Sequence, residues 1–479
     1  MGLRGKLFKG SVVIASTEAL TYGSSFLRNM LLARLISKAD FGIAASFGMV
    51  LAVLEFSGRL AASRFVVQDK EGNEPEFVAT AHFIQFIAGA LSTLLMLLAI
   101  GPLSELFGLQ DYKGTFKLLA FFPVVRSLEH LDPYRLEREF KYTKSSLVSL
   151  VPNLAITLAC WPTAILLPDY RSILILLSLK ALLGTGCTHY FAERPYRWAT
   201  NPVYRKRLLR FGLPLLVNGF LLFGVYQGDQ FLVSCFYPKS DLGAYAAAAA
   251  LATAPSFIVA RVLSSLMLPM MAKVQDDGVA FVRCYQLCLQ AVVALSVIYS
   301  TFVIVGAESW MVIAYGKKYA GAGILLSWLA ASNSFRIIRI APSIAALAKA
   351  DSNNQLHANL LRILSLIPAA LLAKQGAALW TIGATCLLGE ALACGYSVWR
   401  LSKRDAIPIS HALLPFGLTV VATSVACALH PIVSNLSLPL GTTCAALLSL
   451  ATGVGLVWVF GDLRDQVRGF LTERRAKLA

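Results

Sequence analysis

Charge is what this chain has least of. Only 14% of its 479 residues are Asp, Glu, Lys or Arg, against about 25% in soluble globular proteins. Long polar stretches are missing as well. The length would suit about three soluble domains, yet no segment between the apolar runs is long enough to fold alone. No CxxC pair occurs, and the nine Cys lie within apolar runs, which argues against a disulfide framework or a zinc site. Cys284 and Cys288 share a helical face, a spacing that small-residue packing explains. There is no P-loop, no HExxH and no nucleophile elbow, so neither ATPase nor hydrolase chemistry is visible. The six His are scattered, and His130-Leu131-Asp132 is the weak starting point for an acyltransferase.

What is present is apolar. Hydrophobic residues make up 57% of the chain and recur in runs of about 20, the length that crosses a bilayer as a helix. The sequence predicts an all-α, polytopic membrane protein with about 14 transmembrane helices. They fall near 11–36, 41–66, 77–101, 114–132, 144–168, 171–193, 208–236, 241–272, 279–305, 321–348, 352–373, 376–400, 409–434 and 438–460. The first run follows the basic start MGLRGKLFKG but contains Glu18 and Arg28 and no small-residue cleavage site. It reads as a helix that stays, not a signal peptide.

The net charge of +17 does not indicate nucleic acid, because no soluble basic face exists to bind it. In a membrane protein it reports orientation and contact with anionic lipid. The even-numbered connections and both tails hold roughly 25 Lys and Arg and the odd-numbered ones roughly 7, which places both termini in the cytoplasm. The largest contributors are 133–144, 194–210 and the tail from Arg464 to Lys477. No outward loop much exceeds about 15 residues, which leaves no room for a receptor domain or a polymerase loop and makes transport the default.

An internal repeat organises the spans. Lys38-Ala39-Asp40-Phe41-Gly42 recurs as Lys239-Ser240-Asp241-Leu242-Gly243, and Tyr22-Gly23 meets Phe223-Gly224 at the same offset. An offset of six spans keeps both copies in one orientation, the pattern of parallel repeats with substrate at their interface. The expected organisation is a six-helix lobe at 1–206, a second at 207–404, two extra helices at 405–461 and a basic cytoplasmic tail at 462–479. The extra pair carries no Asp, Glu, Lys or Arg within its spans, as lipid-facing helices would.

Charges inside the spans are costly, about 2.5–3.5 kcal/mol each at a helix centre. Glu55–Arg59 and Arg126–Glu129 can neutralise themselves along one helix. Arg34, Arg64 and Lys117 lie near span ends and snorkel. Arg28 and Asp229 occupy equivalent positions of the two repeats and would pair or face one cavity. Arg261, Arg336 and Arg339 have no carboxylate within a turn, and mid-depth cations outnumber anions. Such an interior must be wet and must welcome anions, and the Arg fork suits phosphate oxygens. Pro214, Pro255, Pro269, Pro342 and Pro368 are expected to interrupt long helices, and Ala246 to Ala250 forms a smooth, close-packing face.

Two stretches carry a resemblance. LLARLISKADFGIAASFGMVLAVLEF at 31–56 and FGLPLLVNGFLLFGVYQGDQFLVSCFYPKSDLGAYAAAAALATAPSFIVARVLSSLMLPMMAK at 211–273 resemble the polysaccharide transporter family. This is the Wzx-type group of flippases within the multidrug/oligosaccharidyl-lipid/polysaccharide (MOP) exporter superfamily. The family pattern falls on Asp229, Gly243, Tyr245 and Pro269. It implies two six-helix lobes that flip undecaprenyl-diphosphate-linked oligosaccharide by alternating access across the bacterial cytoplasmic membrane, with no enzymatic step. The product would feed exopolysaccharide, capsule or O-antigen, with a polymerase and export proteins as partners.

The lipid II flippases of the superfamily carry Arg-Asp where this chain has Arg28-Asn29. They also carry an Arg where it has Ala250, with Arg261 beyond Pro255 as the nearest candidate, so lipid II is not the implied cargo. Helices 13 and 14 look like the pair that forms a groove for the polyprenyl tail. On this reading the diphosphate sits on Arg28, Arg59, Arg261, Arg336 and Arg339, while Asp229, Glu18 or Glu390 binds a counter-moving H⁺ or Na⁺; no metal or other cofactor is implied. An inside-negative potential helps, at about 2.3 kcal/mol per charge per 100 mV. The alternative is a cation-coupled multidrug exporter of the same superfamily, whose cavity should be acidic or apolar.

Overall fold

Apolar runs of this length have one economical solution in lipid, a helix that satisfies its own backbone hydrogen bonds. The computed structural model describes residues 3–405, 407–461 and 464–465, with side chains described over these except 3–12 and 54–61. Among the described residues every regular element is helical. Eleven helices among the described residues are long and apolar enough to cross a membrane. The expected basic tail lies largely outside the described residues.

Two compact units divide the chain, Met1–Gly243 and Ala244–Ala479. The first holds α1 (Leu3–Leu35), α2 (Lys38–Gln68), α3 (Pro75–Leu106), α4 (Lys113–Ala120), α5 (Phe122–Ser127), α6 (Asp132–Arg135), α7 (Thr143–Leu166), α8 (Tyr170–Tyr190), α9 (Pro202–Phe236) and the first turn of α10 (Lys239–Lys273). The boundary falls one span later than the repeat suggests, because α9 packs along α2. Ile43, Phe47, Val50 and Leu51 form a helical stripe on α2, and Phe47 meets the ring of Phe116 edge-on at 5.2 Å. At the opposite end of α2, Phe65 packs on Phe77 and Phe211.

The expected fourth span is broken. Pro123 cannot donate to Leu119, so the helix stops at Ala120 and restarts at Phe122. The repeat motif has a structural counterpart within this unit. A Cβ on Gly42 would lie 1.9 Å from the Lys239 carbonyl oxygen, and one on Gly243 would lie 2.0 Å from that of Lys38. The first turns of α2 and α10 thus cross reciprocally, and only glycine at both positions permits it. Ser46 and Ser234 share a buried hydrogen bond at 2.8 Å.

The second unit holds the rest of α10, then α11 (Gly278–Val305), α12 (Ala307–Tyr315), α13 (Gly323–Ile338), α14 (Ile340–Ala348), α15 (Ser352–Leu364), α16 (Leu366–Lys374), α17 (Trp380–Asp405), α18 (Ser410–Ser434) and α19 (Leu438–Val459). Its centre is α11, packed against α13, α18 and α19. Of the five prolines expected to break helices, two do: Pro342 leaves Ile338 without a donor and ends α13, and Pro368 does the same to Leu364 at the end of α15. Pro214, Pro255 and Pro269 sit inside unbroken helices. The outer sides of α18 and α19 expose Leu414, Val421, Leu447, Leu450 and Trp458, the surface that lipid solvates.

Candidate functional site

The proline breaks and one glycine build an ionic cluster inside the second unit. Arg339 stands at the break between α13 and α14, with Arg336 one turn earlier. Arg362 lies one turn before the break at Ser365. On α17, Gly389 has Ser365 so near that a Cβ would lie 2.2 Å from its hydroxyl. That approach brings Glu390 into reach. Its carboxylate receives Arg362 Nη2 at 2.6 Å and Arg336 Nε at 2.8 Å, with Arg339 Nε at 3.6 Å. Glu390, Arg362 and Arg339 are buried, and Arg336 keeps 20% of its side chain exposed.

Three guanidinium groups and one carboxylate give these four side chains a formal charge of +2, and Arg336 and Arg362 have further interactions outside the four. Buried charge of that kind is tolerated only with further partners, water or a mobile anion. Sequence reasoning placed Arg336 and Arg339 on the diphosphate and Glu390 in ion coupling, and left Arg362 out of the site. The missed signal was Gly389 beside an acid in mid-helix, which marks a close approach by another helix.

In the first unit Arg28 stands on α1 against α7, where its carbonyl accepts from the Cys160 thiol at 3.8 Å and the Ser24 carbonyl from Thr157 at 3.4 Å. Arg28 Nη1 is buried without a hydrogen-bond partner, and among the described residues no carboxylate pairs with this guanidinium. The pairing of Arg28 with Asp229 considered from the repeat is therefore not formed. Asp229 on α9 and Glu18 on α1 are half-buried in this unit. Arg261 lies on an exposed part of α10 and is not one of the arginines on Glu390. The side chains of Arg59 and Glu55 lie outside the described residues. Arg126 and Glu129 approach to 3.8 Å, as their spacing predicts.

The comparisons with known proteins bear on this geometry. A family profile described as polysaccharide biosynthesis protein matches residues 31–323, more than half of the chain. The chain belongs to the polysaccharide biosynthesis protein family. The succinoglycan biosynthesis transport protein ExoT of Rhizobium meliloti (strain 1021) is 21% identical over 313 residues, covering 65% of this chain and 63% of that relative's length. A structure of the lipid II flippase MurJ in an inward closed conformation superposes with a TM-score of 0.68 at 12% identity, over 96% of this chain and all of that one. An inward-facing multidrug resistance MATE family transporter of the MOP superfamily gives 0.64 at 13% identity, over 81% and 94%. These likenesses establish the fold. This member of the polysaccharide biosynthesis protein family is a multi-pass membrane protein.

Two further features of this family member frame the site. An apolar groove of about 300 Å³ runs between α11, α18 and α19, lined by residues including Val297, Val421, Ala426, Leu448, Gly455 and Leu456. At the basic end of each unit a buried Asp ties the corner after the fourth span to the sixth. Asp132 accepts from Arg135 Nε at 2.6 Å and from the Glu193 backbone N–H at 2.7 Å. Asp351 accepts from Arg400 at 2.7 and 2.9 Å, with Arg404 at 2.9 Å. Hydrogen bonds from Arg400 hold the Asp351 carboxyl below the usual range.

His130 and Asp132 do not form a catalytic pair. The Asp132 carboxylate goes to Arg135 and Glu193, while His130 Nδ1 accepts the Asp132 backbone N–H and Nε2 donates to the Arg194 carbonyl. The basic 133–144 connection is equally occupied: Arg138 Nη1 binds the carbonyls that end α2, and Lys141 and Lys144 pair with Glu139 and Glu193.

Proposed function

We propose that the protein flips polyprenyl-diphosphate-linked oligosaccharide, undecaprenyl diphosphate being the carrier, outward across the bacterial cytoplasmic membrane for surface polysaccharide synthesis. The observation that carries this reading is the convergence of Arg336, Arg339 and Arg362 on Glu390, with its formal charge of +2. Arg28, whose Nη1 has no hydrogen-bond partner among the described residues, adds a further cation in the other unit. Cations held at mid-depth favour an anionic cargo over a cationic drug, and Arg forks match diphosphate oxygens. ExoT, a succinoglycan transport protein by name, supports a glycan cargo.

The roles divide as follows. Arg336, the most exposed of the three, meets the diphosphate first, with Arg339 behind it; Arg28 and Arg261 serve the same anion in other steps of alternating access. Glu390, saturated by guanidinium, is a fixed counter-charge. A coupling H⁺ or Na⁺, if one is used, falls to Asp229 or Glu18. The groove of α11, α18 and α19 takes part of the polyprenyl tail. The basic connections lie in the cytoplasm with both termini.

A deletion strain tests the reading. Loss of surface polymer, with the complete lipid-linked repeat trapped on the cytoplasmic face, is expected. Unchanged polymer with altered sensitivity to cationic drugs would replace it with the multidrug exporter.

A further inference from the structure

The basic end of the first unit contains a small cavity that the transport reading does not use. Residues 192–201 run there without regular structure across the start of α3. Histidines bolt this segment down. His82 Nδ1 donates to the Arg197 carbonyl at 3.2 Å while its Nε2 accepts the Leu131 N–H at 3.0 Å. His130 Nε2 donates to the Arg194 carbonyl at 3.0 Å while its Nδ1 accepts the Asp132 N–H at 3.1 Å. His189 Nε2 donates to the Leu128 carbonyl at 2.8 Å. The Tyr196 ring packs among all three imidazoles, 4.3 Å from His82. With both nitrogens engaged, His82 and His130 are neutral walls, and the segment between their anchor points is fixed.

The cavity they enclose has a volume of about 270 Å³ and is lined by residues including Pro75, Val78, His82, His130, Arg194 and Arg197. Its two charged lining residues are both Arg; no carboxylate faces it. Arg194 is positioned through its Nη1 hydrogen bond to the Asn73 carbonyl. The side chain of Arg197 is exposed, its carbonyl alone being tied down. Trp198 follows directly, stacked on Phe86 at 4.8 Å and half exposed, and Tyr190 at the end of α8 is 82% exposed. Trp and Tyr beside Arg at the end of apolar helices mark the depth of lipid headgroups.

We propose that this cavity binds the phosphate of an anionic phospholipid headgroup, with Arg194 and Arg197 as its ligands. The volume sits at the small end of ligand pockets, about 300–1,000 Å³, and suits a headgroup rather than an acyl chain. The neutral imidazoles and prolines form its apolar wall, and the bolted backbone fixes where both Arg residues start, so that only the Arg197 side chain has to be ordered on binding. Basic pockets of this kind between membrane helices are where anionic headgroups lodge. A bound lipid would pin the 192–201 segment to the bilayer and set the depth of the first unit.

The test uses the full-length protein in detergent, titrated with phosphatidylglycerol or phosphatidylethanolamine and read by native mass spectrometry. Wild type is expected to retain phosphatidylglycerol selectively, with R197Q weakening it about fivefold and R194Q/R197Q more, at about 1 kcal/mol per basic residue. R205Q, which removes the same charge from the first turn of α9 outside the cavity, should leave retention unchanged. Equal losses in R205Q and R197Q would overturn the site in favour of diffuse attraction. Displacement of the lipid by millimolar inorganic phosphate would overturn the lipid as its source. R197Q is the decisive variant, since its side chain anchors nothing and an unchanged melting temperature confirms its fold.

Discussion

Glu390→Gln separates a counter-charge from a coupling site. The carboxylate faces guanidinium nitrogens at 2.6, 2.8 and 3.6 Å. At an effective dielectric constant near 20, contacts of that length are each worth about 5–6 kcal/mol of Coulomb attraction, offset by repulsion among the arginines and by desolvation. Removing one partner of a buried ion pair costs about 3–5 kcal/mol because the other charge is stranded. Here the formal charge of the four side chains rises from +2 to +3. We therefore expect E390Q to lower the melting temperature in detergent markedly and to reduce its level in membranes. R362Q/E390Q should recover much of the loss, since the pair is removed together. The assay is a double-mutant thermal cycle alongside surface polysaccharide production. An E390Q protein as stable as wild type, yet inactive and insensitive to a proton or sodium gradient that drives wild type, would refute the counter-charge argument.

Arg28→Gln should behave in the opposite way: it removes an intramembrane charge that meets no carboxylate among the described residues and costs about 2.5–3.5 kcal/mol, so thermal stability should hold or rise while polymer production falls. Gly243→Ala sets a methyl 2.0 Å from the Lys38 carbonyl; forcing the crossing apart should cost about 1–3 kcal/mol, read as a lower melting temperature, and an unshifted one would deny the close approach. Gly455→Phe projects into the apolar groove from a position with nothing within 4 Å, so an unchanged melting temperature with reduced polymer is expected, and full polymer would remove the groove from the tail's path. The depressed carboxyl of Asp351 contributes stability above its unfolded value near 3.9 that is lost as pH falls through its folded value; melting curves should drop below about pH 4, and D351N should flatten that limb.

The spans were legible because lipid demands an unbroken apolar run, and the repeat because Lys38–Gly42 and Lys239–Gly243 spell the same turn. The reason for that spelling was not legible. Its glycines meet each other, a fact held in the approach of α2 to α10 and in no local pattern. The fourth span failed for a local reason: Pro123 lies near its middle, and the apolar run around it hides the break. The two compact units divide after Gly243, because α9, which opens the expected second lobe, packs along α2.

The charges show where one-dimensional reasoning stops. Pairs three residues apart such as Arg126–Glu129 can be read directly, since so short a separation brings them together whether or not the helix continues past Ser127. Glu390 is 54 residues from Arg336, 51 from Arg339 and 28 from Arg362, and only the packing of α13, α15 and α17 makes them neighbours. A count of charges needs no partners, and so it sums the intramembrane Lys and Arg against the Asp and Glu without saying which of them meet. Assigning roles needed the partners. Glu390 stands alone as an acid in its helix, yet three guanidinium groups from two other segments lie within 2.6–3.6 Å of it, and the proposed division between counter-charge and cargo-binding arginines starts from that contact.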